Sequence, residues 1–262
     1  MTDAGHYEDI LGDSLEFLGG KRVVDDDPIT YGPLVLSVAP KAISLLADHL
    51  FSPSIFLAER IERGLLECEG KTVVELGAGA ALPSLLLSTL PNPPSLLVVT
   101  DHPDEVIFDN LNSSVMRNEG AVDPKCRVVA IGYDWGTNPS TLLSWNSRTW
   151  LPADDQKGYE VMILSDLLHF DTCHDLLVTS ITTLLKRSPS SRAHVSAGVY
   201  TKPQVCDSFV EKAKKAGLDI EEIHTDLSEP WLGKLPVGGL DATDLALRKA
   251  NCRYWVARWS AP

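Results

Sequence analysis

From Thr72 onward, short apolar runs rich in Val, Leu and Ile alternate with stretches whose apolar positions recur at helical spacing. The runs at Thr72 to Glu75, Leu96 to Thr100, Arg127 to Ile131, Val161 to Ser165 and Ala193 to Val199 read as strands. The spacing predicts helices over Ala81 to Leu90, Asp104 to Asn118, Thr172 to Lys186 and Lys202 to Ala216, the last stopped by Gly217. Two further strands, Leu218 to Thr225 and Cys252 to Trp259, flank a Gly- and Pro-rich loop at Asp226 to Gly239. Continuous rather than alternating apolar strands belong to a sheet covered on both faces. The expected fold is therefore α/β: a Rossmann-like, doubly wound, seven-stranded sheet, mostly parallel, with an antiparallel last strand.

Ahead of this region the pattern is weaker. Lys41 to Leu50 carries apolar residues at helical spacing, and Ser52 followed by Pro53 starts another helix. Residues 1–30 mix glycine, acids and short apolar pieces, and read as an arm. Residues 31–262 read as one domain, since no linker divides them and no internal repeat is visible.

The chemistry centres on Thr72-Val73-Val74-Glu75-Leu76-Gly77-Ala78-Gly79-Ala80-Ala81-Leu82-Pro83. A strand ends on an acid, two glycines make a tight turn, and a helix starts at once, which is where open α/β sheets bind ligands. A dinucleotide site would need a third small residue where Leu82 stands, and the charge of Glu75 would repel a diphosphate. A cation without phosphates, such as S-adenosylmethionine, suits that acid. Asp101, at the end of the next strand, is placed to accept hydrogen bonds from ribose hydroxyls, a task that both kinds of nucleotide share.

The formal net charge of −13 argues against non-specific binding to nucleic acid or anionic membranes and suits a basic protein partner. Five cysteines without a Cys-x-x-Cys pair imply reduced thiols, and no long apolar run or apolar leader is visible, so a cytoplasmic chain is expected. His169, Asp171, Cys173 and His174 resemble a ligand set on paper, but Cys173 and His174 point to different helix faces, so no metal is expected. No Gly-x-Ser-x-Gly elbow accompanies Ser165, Asp166 and His169, which excludes a hydrolase triad.

Glu75-Leu76-Gly77-Ala78-Gly79 with Leu82-Pro83-Ser84, Thr100-Asp101-His102-Pro103, Asp134-Trp135-Gly136 and Ser165-Asp166-Leu167-Leu168 together carry a resemblance from about Tyr31 to the end. The chain resembles the class I, seven-β-strand S-adenosylmethionine-dependent methyltransferases, and among them the lysine-methyltransferase-like family 16. The Asp-Trp-Gly after the third strand is the most specific of these marks. With Trp231, the second and fourth marks look like the nicotinamide-N-methyltransferase-like fungal branch, whose members methylate elongation factor 1A. The resemblance implies that Gly77, Ala78 and Gly79 line the methionine part of the cofactor and that Asp101 binds its ribose. It implies that Trp135 packs on the adenine, that Ser165 touches the cofactor, and that Tyr31 stands in for the family's aromatic residue ahead of the glycine motif.

The family's Asp-x-x-Tyr/Phe after the fourth strand is here Asp166-Leu167-Leu168-His169, with Phe170 beyond. A lysine channel wants aromatic walls, whereas a histidine can take a proton or bind a polar acceptor. The expected activity is methyl transfer to a lysine or N-terminal amine of a protein, with Asp166 and His169 orienting the acceptor. A small amine or heteroaromatic acceptor, and a non-catalytic cofactor-binding scaffold, are the alternatives. The chain is expected to act as a monomer.

Overall fold

This computed structural model describes residues 29–37, 52–146, 157–224 and 229–260. A two-stranded hairpin, β1 (Ile29–Tyr31) and β2 (Leu34–Leu36), precedes helix α1 (Ser52–Glu62). Strand and helix then alternate: β3 (Thr72–Leu76), α2 (Leu82–Ser88), β4 (Leu96–Asp101), α3 (Glu105–Arg117), β5 (Arg127–Gly132), α4 (Ser140–Asn146), β6 (Val161–Ser165), α5 (His174–Leu184) and β7 (Arg192–Gly198). The described chain finishes with α6 (Pro203–Lys215), β8 (Leu218–Glu222), α7 (Ala242–Ala250) and β9 (Cys252–Trp259).

Seven strands form one sheet in the order β5-β4-β3-β6-β7-β9-β8. All neighbours are parallel up to β7, while β9 runs antiparallel to both β7 and β8. The seven-stranded, mostly parallel sheet and its antiparallel last strand agree with the sequence. The hairpin, α4 and α7 had no counterpart there, and the helical pattern at Lys41 to Leu50 lies outside the described residues. The residue 30/31 boundary falls inside β1.

Alternate residues of each central strand feed two cores. Val73, Leu97, Val99, Val161 and Ile163 face α1, α2 and the hairpin. Val74, Leu96, Val98, Met162 and Leu164 face α5 and α6 on the other side. All ten are at most 1% exposed, so burial on both faces accounts for the unbroken apolar runs in the sequence. Winding reverses between β3 and β6, which opens a crevice beyond their carboxyl ends.

Candidate active site

Loops leave the carboxyl ends of β3, β4, β5, β6 and β7 on one side of the sheet, and those of the first four carry nearly every residue singled out from sequence. In the β3 loop both glycines are left-handed, for different reasons. Gly77 has φ +57°, and a Cβ there would sit 2.6 Å from Leu167 Cδ2 and 3.2 Å from Trp135 Cζ2. Gly79, at φ +54°, has no atom within 4 Å of that position, so its bare backbone faces open space. Ala81 is also left-handed, at φ 57°, and caps α2 with Pro83 in its first turn. The turn is pinned from the neighbouring strand: Ala78 N donates to Thr100 O at 2.8 Å and Gly79 N to Asp101 Oδ2 at 2.7 Å. His102 N donates to the other oxygen, Asp101 Oδ1, also at 2.7 Å. Burial raises the Asp101 pKa and these two bonds oppose the rise.

Glu75 lies behind the turn, fully buried, where Oε2 accepts from Ser84 N at 3.2 Å. Among the described residues its Oε1 has no hydrogen-bond partner. Burial pushes this carboxyl up to about 8 from an ordinary 4.5, against the bonds from Ser84, and the nearby Asp101 charge adds to the rise. A carboxyl whose folded pKa is raised contributes stability in full below its unfolded value and loses it as pH climbs through the folded one. Glu75→Gln keeps the acceptor for Ser84 N and removes the charge. It is expected to melt with the parent near pH 4.5 and roughly 10 °C above it by pH 8.5, at ~2–4 °C per kcal/mol for a chain of this size. A melting difference that stays flat across that range in a calorimetric pH series would contradict a raised Glu75.

The β5 and β6 loops supply an aromatic wall. Trp135 leans on Gly77 and meets Phe170 edge-on, ring centroids 5.7 Å apart, while His169 lies 4.0 Å from Phe170. Both ring nitrogens of His169 are shielded from solvent and, among the described residues, unpartnered. Burial lowers the His169 pKa and the Asp166 charge raises it, leaving the ring neutral at pH 7. The loop is held from below by His174, whose Nε2 donates to Leu168 O at 2.8 Å. No three His, Cys, Asp or Glu side chains cluster to hold a metal among the described residues.

Asp166, directly after β6, is 3% exposed and left-handed at φ 63°, a conformation that costs a non-glycine residue. Its Oδ1 accepts from Gly198 N at 3.2 Å and its Oδ2 from the Tyr200 hydroxyl. Burial raises its pKa, opposed by His169 wherever that ring is protonated and by the bonds from Tyr200 and Gly198. Ser165 shares a 2.9 Å hydroxyl bond with Ser54 in the first turn of α1. Tyr200 and Ser54 carried no usable signal in the sequence, since each reaches the crevice only through tertiary contact.

Tyr31 is the exception, and the expectation that it lines the crevice is corrected. Its side chain is fully buried and its hydroxyl donates to Glu62 Oε1 at 2.5 Å. Glu62 ends α1, eight residues beyond Ser54, so roughly 12 Å of helix separates it from Ser165 at 1.5 Å per residue. The adjoining Val35 is bound on both sides by Asn118, the cap at the far end of α3. Tyr31 thus belongs to the opposite end of the sheet. There Glu62 Oε2 also accepts from Lys234 N and Leu235 N, so the tyrosine ties the hairpin and the 229–240 loop to α1.

The sequence model of the lysine methyltransferase family matches residues 46–216. Over 223 residues the chain is 33% identical to a protein N-terminal and lysine N-methyltransferase EFM7 of Gibberella zeae, covering 82% of this chain and 80% of that one. A protein of the same description from Schizosaccharomyces pombe is 29% identical over 196 residues, 74% of this chain and 72% of the other. In fold the chain is similar to a methyltransferase from Pyrococcus furiosus, with a TM-score of 0.50 at 12% identity, over 87% of this chain and 90% of that one.

Proposed function

Because the chain belongs to the lysine methyltransferase family, we propose that it moves the methyl group of S-adenosylmethionine to amine nitrogens of a protein, a lysine and a chain N-terminus. The observation that carries this reading is the open, left-handed Gly79 beside the carboxylate of Asp101, while Glu75, buried behind the turn with its carboxyl pushed up to about 8, holds a proton near pH 7 and adds no charge there, contrary to the sequence expectation. Such a cradle suits a cationic, phosphate-free donor. The relatives from Gibberella zeae and Schizosaccharomyces pombe are named for both kinds of amine. The charge of −13 favours a basic partner, and the likeness to elongation factor 1A methyltransferases makes a translation factor the first substrate to try. In this reading residues 31–262 work as a single domain with residues 1–30 as an arm, and the chain acts as a cytoplasmic monomer.

When bound, the donor supplies an electrophilic methyl on a sulfonium, whose sulfur departs with the electron pair as a neutral thioether. The chain's own work is alignment and charge. Gly77, Ala78 and Gly79 take the methionine part, Asp101 accepts from the ribose, and Ser165 closes the pocket beside them. Trp135 offers a flat face to the adenine, worth about 0.5–1.5 kcal/mol beyond the area it buries. Asp166 orients the acceptor amine, and neutral His169 accepts the proton that the nitrogen gives up as the N–C bond forms. A small heteroaromatic acceptor is the second reading, favoured by the two unpartnered ring nitrogens of His169.

Incubating the protein and a methyl-labelled donor with a cell lysate tests this. Label is expected in a protein band and should vanish when lysate amines are acetylated beforehand. Label confined to small molecules selects the second reading, and no label at all favours a non-catalytic scaffold.

A further inference from the structure

We propose that Tyr200 is a positioning residue for methyl transfer: its hydroxyl fixes the Asp166 carboxylate at the floor of the crevice and holds it in the charged form. This rests on the role assigned to Asp166 above. Tyr200 lies two residues past β7, in the one crevice loop from which the sequence yielded no candidate, and it reaches across to the neighbouring β6 loop. Its hydroxyl donates to Asp166 Oδ2 while Gly198 N donates to Oδ1, so the β7 loop grips both carboxylate oxygens. The Asp166 amide in turn donates to Ser196 O at 2.8 Å. The Tyr200 ring packs against Gly198, where an added methyl would overlap ring carbons Cε1 and Cζ. Glycine at 198 is therefore what lets the ring come down on the carboxylate.

The groups facing Asp166 come from several elements. His169 acts from its own loop, Tyr200 and the Gly198 amide from the β7 loop, and Cys252 from the start of β9, with Arg248 of α7 behind Tyr200 and Cys252. Burial at 3% exposure drives a carboxyl toward its neutral form, in which it would no longer attract an amine that carries a proton. A phenol that donates to the carboxylate opposes that drive. Burial and the Asp166 charge hold the Tyr200 pKa well above its ordinary value, so the hydroxyl keeps its proton and stays a donor across the working pH range.

Tyr200→Phe leaves the ring on Gly198 and removes only the donor. In the labelled-methyl assay with lysate protein, turnover at saturating donor should fall about 10-fold, with the donor KM within about twofold of the parent. The acid limb of turnover against pH should move up by roughly one unit, since one hydrogen bond to the charged form is lost. The acceptor amine titrates alike in parent and variant, so the difference belongs to the protein. Gly198→Ala retains the hydroxyl but lifts the ring, and should move the same limb the same way. An acid limb that stays put in both variants would overturn the proposal, even if rates fall, because that is what a purely structural tyrosine would give. Asp166→Asn separates the two levels. If that variant turns over like the parent, the role of Asp166 fails and this inference with it. If it is slow while both Tyr200→Phe and Gly198→Ala keep the parent profile, only the assignment of Tyr200 fails.

Discussion

Replacing Lys249 by Met should destabilise the chain by about 3–5 kcal/mol, the cost of leaving a buried charge without its partner. The Lys249 side chain on α7 is 3% exposed, and its Nζ donates to Glu59 Oε1 at 2.9 Å, to Glu229 Oε2 at 2.8 Å and to Pro230 O at 3.1 Å. Glu59, in the middle of α1, is fully buried and also accepts from Leu232 N at 2.7 Å. Met matches the aliphatic stem of Lys, so the change isolates the ammonium. What remains is a carboxylate sealed between α1, α7 and the 229–232 segment, with Arg63 at 3.7 Å as the cation left beside it among the described residues. At ~2–4 °C per kcal/mol, calorimetry should find the melting point lowered by roughly 10 °C. Adding Glu59→Leu to Lys249→Met should recover much of the loss, because an apolar pair can replace a buried ion pair at little cost. A single variant that melts with the parent, or a double variant no better than the single, would reject this account.

Asp166→Asn should cut turnover about 10²–10⁴-fold while sparing the fold and the donor affinity. Asparagine is among the few residues that tolerate the left-handed backbone found at φ 63°, and its carbonyl can still accept from Gly198 N. The carboxylate charge is the main thing lost, so parent-like turnover would remove Asp166 from the chemistry. Asp166→Ala should also lose thermal stability, since alanine at that φ costs roughly 1–2 kcal/mol. Donor titration by calorimetry alongside the label assay distinguishes slow chemistry from an empty pocket.

How far the residues themselves announced this arrangement depends on what each one answers to. The central strands were readable because burial on both faces demands unbroken apolar runs, as at Val161 to Ser165. The crevice loops were readable because a strand-end acid, a Gly-x-Gly turn and an Asp-Trp-Gly follow in chain order. The hairpin was not, since three residues per strand give no period to detect, and it is held by backbone bonds from Gly32 N to Pro236 O and from Gly238 N to Thr30 O, whose partners lie far away in sequence. Helix α7 was overlooked although Asp241 and Asp244 spell out a reciprocal cap, because the Gly- and Pro-rich stretch before it reads as loop. Tyr31 was misplaced for a different reason. Standing ahead of the glycine motif in the chain says nothing about which end of the sheet a side chain reaches, and its hydroxyl answers to Glu62. Tyr200 was missed for the same cause in reverse, as only the neighbouring strand brings it to Asp166.

The position of β9 has a consequence for how the protein is made. It is threaded between β7 and β8, which do not pair with each other, so β8 depends on residues 252–259 for its one neighbour and β7 for its second, the first being β6. A nascent chain that has not yet delivered this stretch from the ribosome carries a bare backbone edge on the apolar β7 and an unpaired β8 segment, the kind of template on which chains stick together. The interval between translating Glu222 and threading Cys252 to Trp259 into its slot is when newly made copies most need shielding from one another.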